Sequence, residues 1–157
     1  MEKYKIFNDD SLKKLTELEI GKVGEHLVCA DLILQGYKAY LSDQGLPYDV
    51  IVDIGNKLLR IQVKTTMNYK SVPQRVKPSK AYLFNSRRCG KGGKREYNNK
   101  EIDIVAFVCI KDNLIGYLKI EEVKTTMHFR TKKQNYCSSK KGRYLEDYTF
   151  SKIIGGK

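Results

Sequence analysis

Pro47-Tyr48-Asp49-Val50-Ile51-Val52-Asp53-Ile54-Gly55-Asn56-Lys57-Leu58-Leu59-Arg60-Ile61-Gln62-Val63-Lys64-Thr65-Thr66 is the stretch on which the fold turns. Two runs rich in β-branched residues, Tyr48 to Ile54 and Leu58 to Thr66, flank a Gly55-Asn56 turn and read as a hairpin. Residues two apart on a strand share a face. Gln62 and Lys64 therefore point the same way, and the hairpin brings Asp49, thirteen positions before Gln62, beside them. A carboxylate and an amide oxygen suit a hard cation, and the ammonium next to them adds a positive charge. Phosphodiester hydrolysis needs such a set: oxygen ligands for Mg²⁺ or Mn²⁺, and a cationic side chain to hold or activate the attacking water.

Upstream, an apolar pattern from about Ser11 to Gln35 predicts a helix. At 3.6 residues per turn, Leu18, Gly21, Glu25, Val28 and Leu32 fall on one row. Glu25 interrupts that row. A buried carboxylate is costly unless it is paired or metal-bound, so Glu25 joins Asp49 and Gln62 as a candidate metal ligand. Past Leu18 the helix is apolar nearly all round, which predicts burial on more than one side, with a second subunit as one cover.

The order helix, strand, strand with Glu25, Asp49 and Gln62-x-Lys64 resembles the PD-(D/E)xK nuclease superfamily. Glu25, Asp49 and Lys64 match its pattern residue by residue. Gln62 departs from it, because an acid is usual there. The fullest resemblance, over most of the chain, is to the cyanobacterial group I intron-encoded homing endonucleases of this superfamily, whose pattern also has Gln before x-Lys. The resemblance implies an α/β restriction-endonuclease-like core, with a mixed central sheet flanked by helices. It also implies a catalytic set of Glu25, Asp49, Gln62 and Lys64, with the first three holding the metal.

An echo lies downstream. Glu121-Glu122-Val123-Lys124-Thr125-Thr126-Met127 repeats the pattern of Ile61 to Met67, and Glu122-x-Lys124 fits an acid-x-Lys pattern better than Gln62-x-Lys64 does. Asp103 precedes it. Between them stand two strand-like runs, Ile102 to Ile110 and Leu114 to Ile120, so no hairpin sets Asp103 beside the echo. A motif counts only in its structural context, and the first copy is preferred.

Charge indicates the partner. The net charge is +12 over 157 residues, unevenly spread. Residues 1–53 carry ten acids and six bases, whereas 54–95 carry twelve bases and no acid, and 123–145 seven bases and no acid. Acid-free basic windows on both sides of the Asp49–Lys64 hairpin are the footprint of a polyanion, with double-stranded DNA expected and RNA allowed by charge alone. They carry turn and β-branched residues and no helical stripe, which argues against a membrane-surface helix. Ala81 to Asn98 reads as a basic DNA-binding β-ribbon: a strand at Tyr82 to Phe84, then Arg87, Arg88, Lys91, Lys94 and Arg95 around Gly90, Gly92 and Gly93, with order resuming at Glu96-Tyr97. Such a ribbon fits a major groove, where Arg and Lys read guanine edges. Lys70, Arg75, Lys77 and Lys80 border it, and Met67 to Ser79 reads as an extended connection lying across phosphates. In the basic C-terminal extension of about 123–157, Tyr136, Tyr144, Tyr148 and Phe150 are expected to pack back on the body, with Gly155 to Lys157 frayed.

One domain, 1–157, is expected at this length, with its core at about 11–120. No signal peptide and no bilayer-spanning run is read, so a cytoplasmic bacterial enzyme without a small-molecule cofactor is expected. Cys29, Cys89, Cys109 and Cys137 are widely spaced and imply neither zinc nor a disulfide framework, and Cys29 and Cys109 read as small core residues. His26 and His128 lack partners at ligand spacing. Further strands are predicted at Lys38–Leu41, Ile102–Ile110 and Leu114–Ile120. The expected activity is a sequence-specific, Mg²⁺-dependent cut of double-stranded DNA by a homo-oligomer, dimer or tetramer. The alternatives are a junction resolvase, a restriction-type enzyme, or a nuclease fold that binds without cutting.

Overall fold

The computed structural model describes residues 10, 13–71, 80–87, 93, 96–133 and 143–155. Helix α1 spans Glu17–Leu34. It starts six residues later than the apolar pattern predicts, because Thr16 and Glu19 form a capping box. The Thr16 hydroxyl accepts from the Glu19 N–H at 3.3 Å, and the Glu19 carboxylate accepts from the Thr16 N–H at 2.7 Å. These two reciprocal bonds satisfy donors that a helix start leaves open. Gly36, at φ +91°, ends it: the Gly36 N–H donates to Ile33 and the Tyr37 N–H to Leu32, a Schellman arrangement.

The central sheet holds β1 (Lys38–Leu41), β2 (Val50–Asp53), β3 (Leu58–Thr66), β6 (Ile104–Cys109) and β7 (Leu114–Lys119), in the order β1-β2-β3-β6-β7. All pairs are antiparallel except β3 with β6, which run parallel. This is the mixed sheet that the sequence predicts. A second sheet, β4 (Lys70–Ser71), β5 (Lys80–Asn85) and β8 (Thr126–Phe129), lies in the order β4-β5-β8.

The central sheet is covered on both faces. Ile104, Ala106 and Val108 of β6 join Val28 and Leu32 of α1 in one core. Val105, Phe107 and Cys109 point the other way, into a core with Tyr82, Phe84, Met127 and Phe129 from β5 and β8. Every residue of β6 is therefore buried, as expected for a strand inside a three-layer sandwich. Phe84, Phe107 and Phe129 meet with ring centroids 5.0–6.0 Å apart. The C-terminal segment does pack back: Phe150, in the short helix α2 (Phe150–Ile153), lies edge-on to Tyr37 and Tyr117, and Tyr148 edge-on to Phe129. Tyr144 forms a bridge with Arg130, while Tyr136 lies outside the described residues.

Two expectations need correction. The α1 face buried within this chain is Gly24, Val28 and Leu32, whereas Leu18 and Leu34 are each 87% exposed. Among the described residues, the chain thus covers α1 on one side. The ribbon drawn over 81–98 also pairs differently. β5 bonds to β4 and β8, and Glu96 and Tyr97 lie in no strand. Alternate burial of Tyr82 and Phe84 demands partners that complete an apolar layer, and β8 supplies Met127 and Phe129.

Candidate active site

Asp49 stands one residue before β2 and is held there by its backbone. Its N–H donates to Ile61 at 2.8 Å and its carbonyl accepts from the Ser42 N–H at 2.9 Å. The Val50–Ile61 pairing of the hairpin then sets Asp49 opposite Gln62. The Asp49 carboxylate accepts from the Gln62 side-chain amide at 2.5 Å and from the Val63 N–H at 2.8 Å. Gln62 itself is only 9% exposed. Its amide nitrogen is also 3.4 Å from the Val63 carbonyl, which places a backbone oxygen at the same spot.

Burial pushes the Asp49 carboxyl up to about 6. The Val63 N–H bond opposes this, the negative charge of Glu25 adds to it, and Lys64 and Lys22 pull it down. The carboxylate is thus costly to ionise as it stands, and a cation placed beside it would relieve that cost.

Glu25 comes from the opposite wall. It sits one position off the buried row of α1, with its side chain 22% exposed, and pairs with Lys22 at 2.7 Å. It is therefore a cleft residue and not the fully buried carboxylate that the apolar row suggests. Glu25 and Asp49 line one cleft of about 500 Å³, with Lys22, Ser42, Asp43 and Tyr48 among its other walls.

Gly24 explains the approach, although the apolar row drawn from the sequence contains Gly21 instead. A Cβ at Gly24 would lie 1.8 Å from the Thr65 hydroxyl oxygen, 2.9 Å from its Cβ and 3.0 Å from its methyl group. Only glycine lets α1 lie this close to β3, and Glu25 follows it in the chain. The signal was the residue type beside a candidate acid; what it lacked was knowledge of which helix face meets the sheet.

Lys64 lies on the Gln62 face of β3, opposite Phe107 of β6. Its ammonium donates to the Arg87 carbonyl at 3.2 Å and lies 5.2 Å from the centroid of the Tyr97 ring. The structure thus brings together Glu25, Asp49, Gln62 and Lys64 around one end of the β2–β3 hairpin.

The echo is placed elsewhere. Asp103 is locked to Arg60, its carboxylate accepting from the Arg60 backbone N–H at 2.8 Å and from the guanidinium at 3.0 and 3.1 Å. Glu122 ends the 3₁₀ turn Ile120–Glu122 and accepts from the Lys119 N–H at 3.2 Å, while Lys124 is exposed.

Of the expected DNA-binding residues, the side chains of Lys70 and Arg87 are described and both are exposed. Lys80 opens β5. Arg75, Lys77, Arg88, Lys91, Lys94 and Arg95 lie outside the described residues, as do most of the connection to Ser79, Cys89, Cys137 and the last two residues. Among the described residues, no group of three or more His, Cys, Asp or Glu side chains clusters as a metal centre. The donors at the hairpin are instead two carboxylates, an amide and a backbone carbonyl, all oxygens of the kind that Mg²⁺ and Mn²⁺ take.

Comparison with known proteins bears on this geometry. The family model described as PD-(D/E)XK endonuclease matches residues 16–151. The chain belongs to the PD-(D/E)XK endonuclease family. The solved structure of a bacterial homing endonuclease, I-Ssp6803I, superposes with a TM-score of 0.63 over 90% of this chain and 94% of the other, at 12% identity. At that identity the likeness establishes a shared fold. No curated protein sequence matches the chain. As a PD-(D/E)XK endonuclease the chain is a nuclease, with a nucleic acid as its substrate.

Proposed function

We propose that this nuclease is a sequence-specific, Mg²⁺-dependent DNA endonuclease of the homing type, acting as a homo-oligomer on double-stranded DNA. The observation that carries the reading is the Asp49 carboxylate, fixed by Gln62 and Val63 and facing Glu25 across the cleft, with Lys64 two residues along the same strand as Gln62. Asp49 and Glu25 would hold the cation, with the Val63 carbonyl and the Gln62 amide completing its oxygen set. The Gln62 amide now donates to Asp49, so its oxygen would ligate after a turn about its terminal torsion, which is soft. A bound divalent cation would polarise the scissile phosphate and supply a hydroxide-like water. Lys64 would orient that water or offset the charge that builds on the phosphoryl oxygens.

Support for DNA comes from the basic windows and from the structural neighbour, a homing endonuclease. Support for an oligomer comes from arithmetic and surface. One chain offers one such hairpin, a double-strand break needs two, and α1 exposes Leu18 at its start and Ile33 and Leu34 at its end.

A supercoiled-plasmid assay with and without Mg²⁺ tests the reading, using pooled random inserts to reveal a preferred site. Mg²⁺-dependent linearisation at a discrete sequence is the expected result. Tight DNA binding with no cleavage under any divalent metal would leave a binding protein on a nuclease fold, and cleavage governed by branch structure would favour a resolvase. Because the metal-binding form of Asp49 is the carboxylate, and that carboxyl is pushed up to about 6 without metal, cleavage at subsaturating Mg²⁺ should rise through pH 6 and level off above it, with the midpoint moving down as Mg²⁺ is raised.

A further inference from the structure

Two groups from one segment fix the ammonium of Lys64. One is the Arg87 carbonyl, at 3.2 Å; the other is the Tyr97 ring, 5.2 Å from its centroid. Neither belongs to the central sheet: Arg87 follows β5, and Tyr97 comes ten residues later. Thr125 pins both ends of this segment. The Ser86 N–H donates to the Thr125 carbonyl at 2.9 Å, one residue before Arg87. The Thr125 hydroxyl donates to the Glu96 carboxylate at 2.8 Å, one residue before Tyr97. The segment that echoes the active-site strand thus supplies the anchor for the clamp on its lysine.

We propose that Tyr97 is a positioning residue for Lys64, its ring face holding the ammonium in place as a fixed cation beside Asp49. The inference rests on the reading of Lys64 as part of the hydrolytic site. An aromatic face attracts a cation within about 6 Å of its centroid through the ring quadrupole. The Arg87 carbonyl oxygen holds the same ammonium by accepting a hydrogen bond from it. A lysine stem is long and flexible, so two anchors at its tip narrow its positions to one, which is the preorganisation that stabilisation of a developing charge requires.

The test uses the full chain, supercoiled plasmid and Mg²⁺, with single-turnover rates at saturating DNA and duplex affinity measured separately in Ca²⁺. Tyr97→Leu should cleave about tenfold more slowly with unchanged affinity, and Tyr97→Phe, which keeps the ring, should retain most of the rate. Phenylalanines of rising ring fluorination at position 97 preserve shape while draining the negative face, so the rate should fall stepwise along that series. Thr125→Val should slow cleavage in the same direction by less. A flat fluorination series, a wild-type rate for Tyr97→Leu, or a loss confined to affinity would each overturn the proposal. Lys64→Ala separates the two levels: full activity there removes Lys64 from the site altogether, whereas an inactive Lys64→Ala beside a fully active Tyr97→Leu removes only the clamp.

Discussion

Ile61-Gln62-Val63-Lys64-Thr65-Thr66-Met67 and Glu121-Glu122-Val123-Lys124-Thr125-Thr126-Met127 agree at five of seven positions and have different structures. The first runs through the middle of a sheet, antiparallel to β2 on one side and parallel to β6 on the other, with Gln62 buried. The second begins in a 3₁₀ turn and becomes strand only at Thr126, on the outer sheet. In the first copy the charge of the lysine acts on Asp49, a half-buried carboxylate that lines the cleft; in the second the lysine is exposed. Thr65 faces Gly24 of α1, whereas Thr125 ties down Ser86 and Glu96. The shared letters specify a β-prone segment with one lysine. Chemistry arises where neighbouring elements supply a carboxylate on each side.

The sharpest way to break this comparison is to remove each lysine. Lys64→Ala and Asp49→Ala should each lower plasmid cleavage by about 10²–10³-fold or more while leaving duplex binding nearly intact, if each removes the charge-stabilising or metal-holding group proposed above. Lys124→Ala should cleave within about twofold of the parent, as befits an exposed surface charge. Activity lost at Lys124 and kept at Lys64 would reverse the assignment of the two copies.

A second probe concerns the threonines. Gly24→Ala sets a methyl group 1.8 Å from the Thr65 hydroxyl, and rotation brings no relief because the Thr65 Cβ and methyl lie within 3.0 Å as well. Overpacking of this kind costs about 1–3 kcal/mol, against a helix-propensity gain of about 1 kcal/mol. A net loss in urea unfolding is expected, with Glu25 displaced and cleavage reduced. Thr65→Ala in the same chain should recover much of both. Additive losses in that double-mutant cycle would show that the two residues do not meet.

A third probe sets function against stability at Asp49. Its folded carboxyl is pushed up to about 6, above the 3.8 of a free aspartate, mainly by burial. Between those values the unfolded chain releases its proton while the folded chain keeps it, so stability falls as pH rises from about 4 to 6 and stays lower above that. Asp49→Asn removes the cost of ionisation and can still accept from Val63 and Gln62. In EDTA it should raise stability by on the order of 1–3 kcal/mol at pH 8, with no gain at pH 4, while abolishing cleavage. Equal melting temperatures for the two proteins across that range would show that Asp49 ionises without penalty.

The smallest expected effects compare the two residues that precede x-Lys. Gln62→Ala should weaken cleavage in a way that higher Mg²⁺ partly restores, and Gln62→Glu should keep metal binding and shift the preference among metals. Glu122→Ala should leave the metal titration unchanged and cost about 0.5–1.5 kcal/mol of stability through the lost bond to the Lys119 N–H. An unchanged titration for Gln62→Ala would remove its amide from the ligand set.

The hairpin, a strand within Ile102–Ile110 (observed at Ile104–Cys109) and the co-location of Asp49, Gln62 and Lys64 follow from sequence alone, because strand alternation and a Gly-Asn turn are local rules that assign faces without knowledge of the rest of the chain. The basic, acid-free windows and the nucleic-acid substrate class are legible for the same reason: charge is carried by the letters. Tertiary structure alone decided the rest. It set the pairing of β5 with β8, which depends on residues more than forty positions apart meeting over an apolar layer. It chose which face of α1 meets β3, because Gly24 is uninformative until Thr65 is known to lie against it. It also set Tyr97 over Lys64 and Thr125 against Glu96, contacts that no periodicity encodes because each joins elements through side chains distant in sequence.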